Sequence, residues 1–198
     1  APVKHHRAID WHELPDFIQA LEKCDNPPNS SPVAKCFKFM ALTVARPGEA
    51  RLVNWDEIDL EAEVWHAPEN KNKSIRQWNI PLTRAAIELL KSLPTYKNES
   101  GPIFLTLAGR IIPDAYMSSL PDGLGFDAVA HGFRTTFRTW GQEQQRFSEE
   151  VLELSLRHCE IAGTRAAYAR SQLLDERRKV LDEYNAWAMH GKQNNNVT

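Results

Sequence analysis

The chain has 198 residues, of which 42% are hydrophobic and 25% charged, and its net charge is −2. These values are typical of a folded domain and exclude a histone-like polycation. No apolar run reaches the roughly 18 residues that span a membrane, and no apolar leader opens the chain. Three cysteines without CxxC spacing argue against a disulfide framework or a zinc finger and favour a reducing cytoplasm.

The front of the chain is predicted to combine helices with one small sheet. Asp10 is a good N-cap for a helix with regularly spaced apolar residues, and Pro47 suits the first turn of another. Short β-rich runs follow, and the polar segment 68–74 is predicted to be a hairpin loop. The predicted helices here cover residues 10–23, 33–45 and 47–54, and the predicted strands cover 57–60, 63–67 and 75–80.

The rest of the chain is predicted to be mostly helical. Thr83 is suited to cap a helix, and Gly191 is suited to end the last one. Residues 94–112 are rich in turn formers, and a loop is expected at 121–126. The fold class is therefore α+β and mainly α-helical, with a small three-stranded antiparallel sheet. The predicted helices here cover 83–92, 114–119, 131–146, 148–158, 163–172 and 174–190.

Several separated fragments carry side chains suited to phosphodiester chemistry without a metal. Such a site needs cations for the phosphate oxygens, a nucleophile, and an acid for the leaving oxygen. Arginine suits the first role because its planar fork pairs with phosphate and keeps its charge. The candidates are Arg46 and Arg134 as a clamp, Lys73 as the acid, Tyr168 as the nucleophile, and His131 and His158 as proton-transfer groups or phosphate donors.

Each of these residues alone has an ordinary structural explanation. Lys73 alone reads as a solvated loop lysine, and Lys71 and Arg76 compete with it for the acid's role. His158 beside Cys159 could be a metal pair, but no third or fourth ligand is apparent. Their order along the chain is what favours a functional interpretation.

The order and wording of these motifs resemble the tyrosine recombinase (phage integrase) family, and most closely the integrases of prophages and genomic islands. The resemblance runs from about Lys4 to about Gly191. It rests on Ala-Arg-Pro-Gly-Glu-Ala-Arg at 45–51, His-Gly-Phe-Arg at 131–134 and Ala-Ala-Tyr-Ala-Arg at 166–170. Glu-Arg-Arg at 176–178 extends it into the last predicted helix.

The resemblance implies a role for each matching position. The resemblance implies that Arg46 is the first catalytic arginine, Lys73 the general acid for the 5′-hydroxyl, His131 and Arg134 the H-x-x-R box, His158 the second histidine, Tyr168 the nucleophile that forms a 3′-phosphotyrosyl bond, and Glu49 an acidic support of the site. The sequence departs from the family at Arg157, where relatives often carry a small residue.

The resemblance also implies site-specific DNA integration and excision of a mobile element such as a prophage, with no cofactor, metal or ATP. The expected partners are double-stranded DNA attachment sites, other copies of the chain in a homotetramer on DNA, and optionally an accessory directionality factor, with no membrane. Tentative DNA contacts are Lys71, Arg76, Arg110, Arg165 and Arg170.

Family members usually carry N-terminal DNA-binding domains that this sequence does not match. We therefore expect the chain to be a fragment that is monomeric when isolated, with a catalytic domain at 1–191 and a disordered tail at 192–198. The helix at 174–190 could pack on its own domain or dock on a neighbouring copy. The alternatives in function are a type IB topoisomerase-like relaxing enzyme and a DNA-binding module without chemistry.

Overall fold

The computed structural model describes residues 6–24, 31–68, 78–98, 100–157 and 173–191. Within these ranges the chain is mainly helical with one three-stranded antiparallel sheet, which confirms the expected fold class. None of the helices in these ranges is long and apolar enough to cross a membrane. The helix predicted at 163–172 and the tail predicted at 192–198 lie outside the described residues.

Several helices begin where the sequence supplies a side-chain cap. The hydroxyls of Ser31, Thr83 and Ser148 each accept an N–H from the residue three positions on, which satisfies a donor that the helix leaves unpaired. In the described part of the chain the α-helices are α1 (Leu14–Cys24), α2 (Pro32–Thr43), α3 (Pro47–Leu52), α4 (Arg84–Lys91), α5 (Asp114–Gly123), α6 (Gly132–Glu143), α7 (Glu149–Ser155) and α8 (Leu174–His190).

The sheet is a meander of β1 (Ile58–Asp59), β2 (Val64–Ala67) and β3 (Trp78–Pro81), with β2 in the middle. Trp65 lies opposite Ile58 on one side and Ile80 on the other. The Trp65 side chain is buried, and its indole N–H donates to Glu57 at 2.9 Å. The register therefore fixes one aromatic side chain at the centre of the sheet.

Several helix ends differ from the predictions, and those of α3 and α6 lie two and three residues early, at Leu52 and Glu143. Helices α2 and α7 stop earlier than expected because Val44 and Arg157 adopt left-handed backbone angles, each with φ of 55°. Helix α5 instead continues to Gly123, through part of the segment predicted to be a loop. Met117 and Pro121 are both buried there, one turn apart, so packing outweighs the poor helix propensity of proline.

Helix α8 packs on its own chain, against α1, β3 and α7. Tyr184 is buried there, with its ring 5.1 Å from that of Phe137 and 5.0 Å from that of Trp140. Arg177 Nη1 donates to the Asn79 carbonyl at 2.9 Å, which ties α8 to the third strand. This settles the open question for the isolated chain, because the apolar side of α8 is covered from within.

The segment before α1 crosses the start of α6. Its Arg7 carbonyl accepts the Val129 N–H at 3.1 Å, and its Ile9 carbonyl accepts the Thr136 hydroxyl at 2.9 Å. A Cβ on Gly132 would lie 1.9 Å from the Arg7 carbonyl oxygen, so only glycine permits this approach. The first residue of α6 is thus shaped by its contact with the N-terminal segment.

Candidate active site

Arg46 lies directly before α3, in a turn that the sequence itself fixes. Pro47 occupies the first helical position, and the Glu49 carboxylate accepts the Arg46 backbone N–H at 3.1 Å through Oε2. The other carboxylate oxygen, Oε1, lies 3.2 Å from Arg46 Nη1. Glu49 therefore contacts both the backbone N–H and the guanidinium of Arg46.

Arg134 is the third residue of α6, and it is only 5% exposed. Its Nη1 donates to the Val44 carbonyl at 2.7 Å, and its Nη2 donates to the Leu156 carbonyl. Burial and then the nearby Arg46 charge lower the pKa of Arg134 to about 10, so it remains charged at neutral pH. Backbone carbonyls at the ends of α2 and α7 thus hold this cation in place.

Contacts through Glu49 and Leu156 place the two predicted arginines in one neighbourhood. Arg134 bonds the carbonyl of Leu156, and the next residue, Arg157, shares Glu49 Oε1 with Arg46. The charges of Arg46, Glu49 and Arg157 all act on the Arg134 guanidinium. The guanidinium groups of Arg46 and Arg134 therefore lie in one region of the structure, and their catalytic roles stay predictions.

His131 is exposed at the N-terminal end of α6, three residues before Arg134. Its ring centroid lies 4.4 Å from that of His6, with the two planes tilted by 52°. His6 is held there by the segment that crosses the start of α6. The sequence did not predict that His6 neighbours His131, because the two residues are 125 positions apart in the chain.

A cleft of about 750 Å³ lies between Arg46, Glu49 and His131. Two carboxylates of its lining have other partners close by, since Asp114 lies 3.7 Å from Arg51 Nε and Glu57 accepts the Trp65 indole N–H. Arg134 is not part of the lining, and its guanidinium is buried close enough to feel the charges of Arg46, Glu49 and Arg157. The lining includes His6, Arg46, Glu49, Trp65, His131 and Arg157.

Arg157 is a member of the site that the sequence analysis did not assign. Its side chain is only 4% exposed, and its Nη1 lies 2.7 Å from Glu49 Oε1, the oxygen that also faces Arg46. The signal that could have identified it is the departure from the family pattern at this position. A large charged residue where relatives often have a small one needs a partner, and Glu49 supplies it.

Of the remaining predicted residues, Arg110 lies in the described part of the chain. Arg110 is exposed in a turn that borders a separate depression beside Tyr116, so it is not part of the cleft. The other predicted positions lie outside the described residues, and their roles stay predictions. They are Lys71, Lys73, Arg76, His158, Arg165, Tyr168 and Arg170.

Comparison with known proteins agrees with the motifs. Residues 7–173 match the phage integrase family. The chain is 31% identical over 187 residues to prophage integrase IntZ of Escherichia coli K12, covering 91% of this chain and 44% of IntZ. It is 31% identical to prophage integrase IntA of the same strain (90% and 43% covered) and 28% identical to the integrase of Enterobacteria phage P4 (98% and 47% covered). The chain thus spans less than half the length of these relatives.

Two solved structures share the fold. The integrase from mycobacterium phage Brujita aligns with a TM-score of 0.63 at 13% identity, over 93% of this chain and 60% of that one. The XerH site-specific recombinase, bound to its difH substrate in a pre-cleavage complex, aligns with a TM-score of 0.60 at 20% identity, over 86% and 55%. With the family match across most of its length, this chain belongs to the phage integrase family.

Proposed function

We propose that this chain is the catalytic domain of a site-specific DNA recombinase that integrates and excises a mobile element. The observation that carries the proposal is that Arg46 and His131 line one cleft and the buried Arg134 lies near Arg46, in a member of the phage integrase family. The catalytic domain corresponds to residues 1–191, with α8 as its last element and 192–198 as a tail.

In the proposed reaction the Tyr168 hydroxyl attacks a DNA phosphorus atom. The bond from phosphorus to the 5′-oxygen breaks, and Lys73 protonates that oxygen as it leaves. A histidine, His131 or His158, takes the phenolic proton. The product is a 3′-phosphotyrosyl link, which keeps the energy of the broken phosphodiester bond, so no ATP is needed.

The second half of the reaction reverses the first. A 5′-hydroxyl from the partner strand attacks the 3′-phosphotyrosyl link and releases Tyr168. The DNA strands are thereby exchanged through a Holliday junction. Arg46 and Arg134 supply the positive charge for the non-bridging oxygens in both steps. The 32% exposure of the Arg46 side chain supports a direct contact with the phosphate.

DNA is the proposed partner, and the XerH complex with its difH substrate supports this at the level of a shared fold. The net charge of −2 is compatible with DNA binding because local patches decide it. The finer proposals are a homotetramer on double-stranded attachment sites inside a bacterial cell, a monomer without DNA, and an accessory directionality factor. Contacts to the DNA backbone are proposed for Lys71, Arg76, Arg110, Arg165 and Arg170.

A suicide duplex tests the chemistry. The duplex carries a candidate attachment-site sequence and a nick near the cleavage position, so that the cut fragment diffuses away and the covalent complex accumulates. We expect a protein–DNA band that survives denaturation with the wild-type chain, and none with Tyr168→Phe. A Tyr168→Phe protein that still became linked to DNA would refute the proposal.

The same preparation separates the two alternatives. A type IB topoisomerase would relax supercoiled plasmid without joining two sites, whereas a recombinase joins two attachment sites. A DNA-binding module without chemistry would bind the duplex and give no covalent band. We expect recombination between two sites together with covalent trapping.

A further inference from the structure

One oxygen of Glu49 faces two guanidinium groups. Glu49 Oε1 lies 3.2 Å from Arg46 Nη1 and 2.7 Å from Arg157 Nη1. The other oxygen holds the Arg46 backbone N–H, so the carboxylate cannot swing away without disturbing the start of α3. Two cations therefore share a carboxylate that is fixed in place.

The two arginines differ in how firmly they are placed. The Arg157 side chain is 4% exposed and makes the shorter contact, whereas the Arg46 side chain is 32% exposed and makes the longer one. A buried ion pair is costly to break, while a solvent-accessible one exchanges at little cost. When an anion enters the cleft, Arg46 is the partner able to leave Glu49.

The backbone at Arg157 is also unusual. Its φ of 55° lies in the left-handed region, which disfavours residues that carry a Cβ. A glycine would adopt this conformation more easily, so the arginine is kept there at a conformational cost. Such outliers cluster at functional sites, where the side chain has a task.

We propose that Arg157 is a positioning residue, which retains Glu49 as its partner when Arg46 exchanges that carboxylate for a phosphate oxygen. Without Arg157 the released carboxylate would stand uncompensated next to the incoming anion and repel it. With Arg157 the pair stays neutral and the Arg46 guanidinium is available. This inference rests on the proposed function only in taking the anion to be a DNA phosphodiester.

The test measures binding of inorganic phosphate to the whole chain, so it involves neither Tyr168 nor a DNA sequence. Ligand that binds only the folded state raises the unfolding midpoint, and the dependence on its concentration gives a dissociation constant. Ionic strength is held constant with chloride because screening weakens charge interactions. Each variant is compared with its own phosphate-free midpoint, so a general change in stability cancels.

The variants form a double-mutant cycle. Arg157→Gly removes the guanidinium and suits the left-handed backbone, and Glu49→Gln removes the competing charge while its amide oxygen can still accept the Arg46 N–H. We expect Arg157→Gly to weaken phosphate binding on the order of tenfold when Glu49 is present. In the Glu49→Gln background we expect the same substitution to change binding by less than about twofold, since no carboxylate is left to compensate.

Two further variants serve as controls for the phosphate-binding cycle. Arg157→Lys keeps the positive charge and is expected to retain phosphate affinity within about threefold. Arg46→Ala is expected to remove most of the phosphate effect. Equal losses from Arg157→Gly in both backgrounds, no loss in either, or a phosphate effect that survives Arg46→Ala would each overturn the proposal.

The outcome is separable from that of the suicide-duplex experiment. If the phosphate double-mutant cycle is non-additive as expected but no covalent DNA complex forms, the recombinase proposal is rejected and the exchange at Glu49 is kept. Covalent trapping together with an additive cycle would keep the recombinase and reject the role of Arg157.

Discussion

The starts of α3 and α6 each hold an arginine of the candidate site, but they hold it in different ways. Arg46 lines the cleft, and Arg134 lies buried near it. Arg46 is bound by a side-chain carboxylate and is partly open to solvent. Arg134 is bound by main-chain carbonyls and is almost fully buried. The first charge is held by a partner that it can exchange, and the second is built into the fold. Electrostatic stabilisation of a reaction benefits from the second kind, because no reorganisation is needed when charge develops.

The largest effect should come from removing the buried cation. Arg134→Ala leaves the Val44 and Leu156 carbonyls without this donor, and we expect the free energy of unfolding to fall by about 3 kcal/mol. Arg46→Ala should cost about 0.5 kcal/mol, because its ion pair is partly exposed and screened. Urea denaturation of both variants measures the difference. Equal losses would show that the two helix starts do not differ in this way.

A second test compares two glycines of α6. Gly132→Ala would place a Cβ 1.9 Å from the Arg7 carbonyl oxygen, so the N-terminal segment must shift. We expect a loss of about 2 kcal/mol in unfolding free energy. In Gly141→Ala the new Cβ meets the Leu152 side chain at 2.5 Å, which can rotate away, and we expect about 1 kcal/mol.

Urea denaturation measures the loss of unfolding free energy in the two glycine variants. Amide hydrogen exchange of residues 6–10 shows whether the N-terminal segment is loosened. Faster exchange in Gly132→Ala alone would place the strain at the crossing. A Gly141→Ala variant less stable than Gly132→Ala would contradict the close approach.

A third test separates binding from stability. Arg46→Ala should weaken inorganic phosphate binding about tenfold, since a charge-assisted contact is lost, while the unfolding free energy hardly changes. Arg84→Ala is the matched control, because the Arg84 side chain is 91% exposed and does not line the cleft. Phosphate titration by calorimetry measures both. A similar loss in Arg84→Ala would mean that phosphate binds by general surface charge.

Local sequence signals predicted most of the fold. Pro47 and Thr83 mark helix starts that the structure confirms, and Gly191, with φ of 61°, ends α8 as expected. The ends of α2 and α7 were misplaced because left-handed residues there are valine and arginine, whereas the usual signal is glycine. The proline within α5 misled in the opposite direction, because tertiary packing overrides propensity.

The site was predictable only where a motif is continuous in sequence. Arg46 with Glu49, and His131 with Arg134, lie within single turns, so their spacing alone places them together. Arg157 and His6 join the cleft through contacts between distant segments, and composition or periodicity carries no trace of such contacts. The departure from the family pattern at Arg157 was the one sequence feature that could have identified that residue, and His6 had no such signal.

The smallest effect concerns the glycine at the start of α3. Gly48 is the second helical residue, and a Cβ built on it meets nothing within 4 Å in the described structure. Gly48→Ala should therefore raise the free energy of unfolding by about 0.5 kcal/mol, because alanine has the better helix propensity and restricts the unfolded chain. Urea denaturation beside Gly132→Ala measures the contrast. Since neither glycine has the left-handed backbone that excludes other residues, opposite signs would show that space alone separates the two helix starts, and a loss in Gly48→Ala would mean that α3 is packed as tightly as α6.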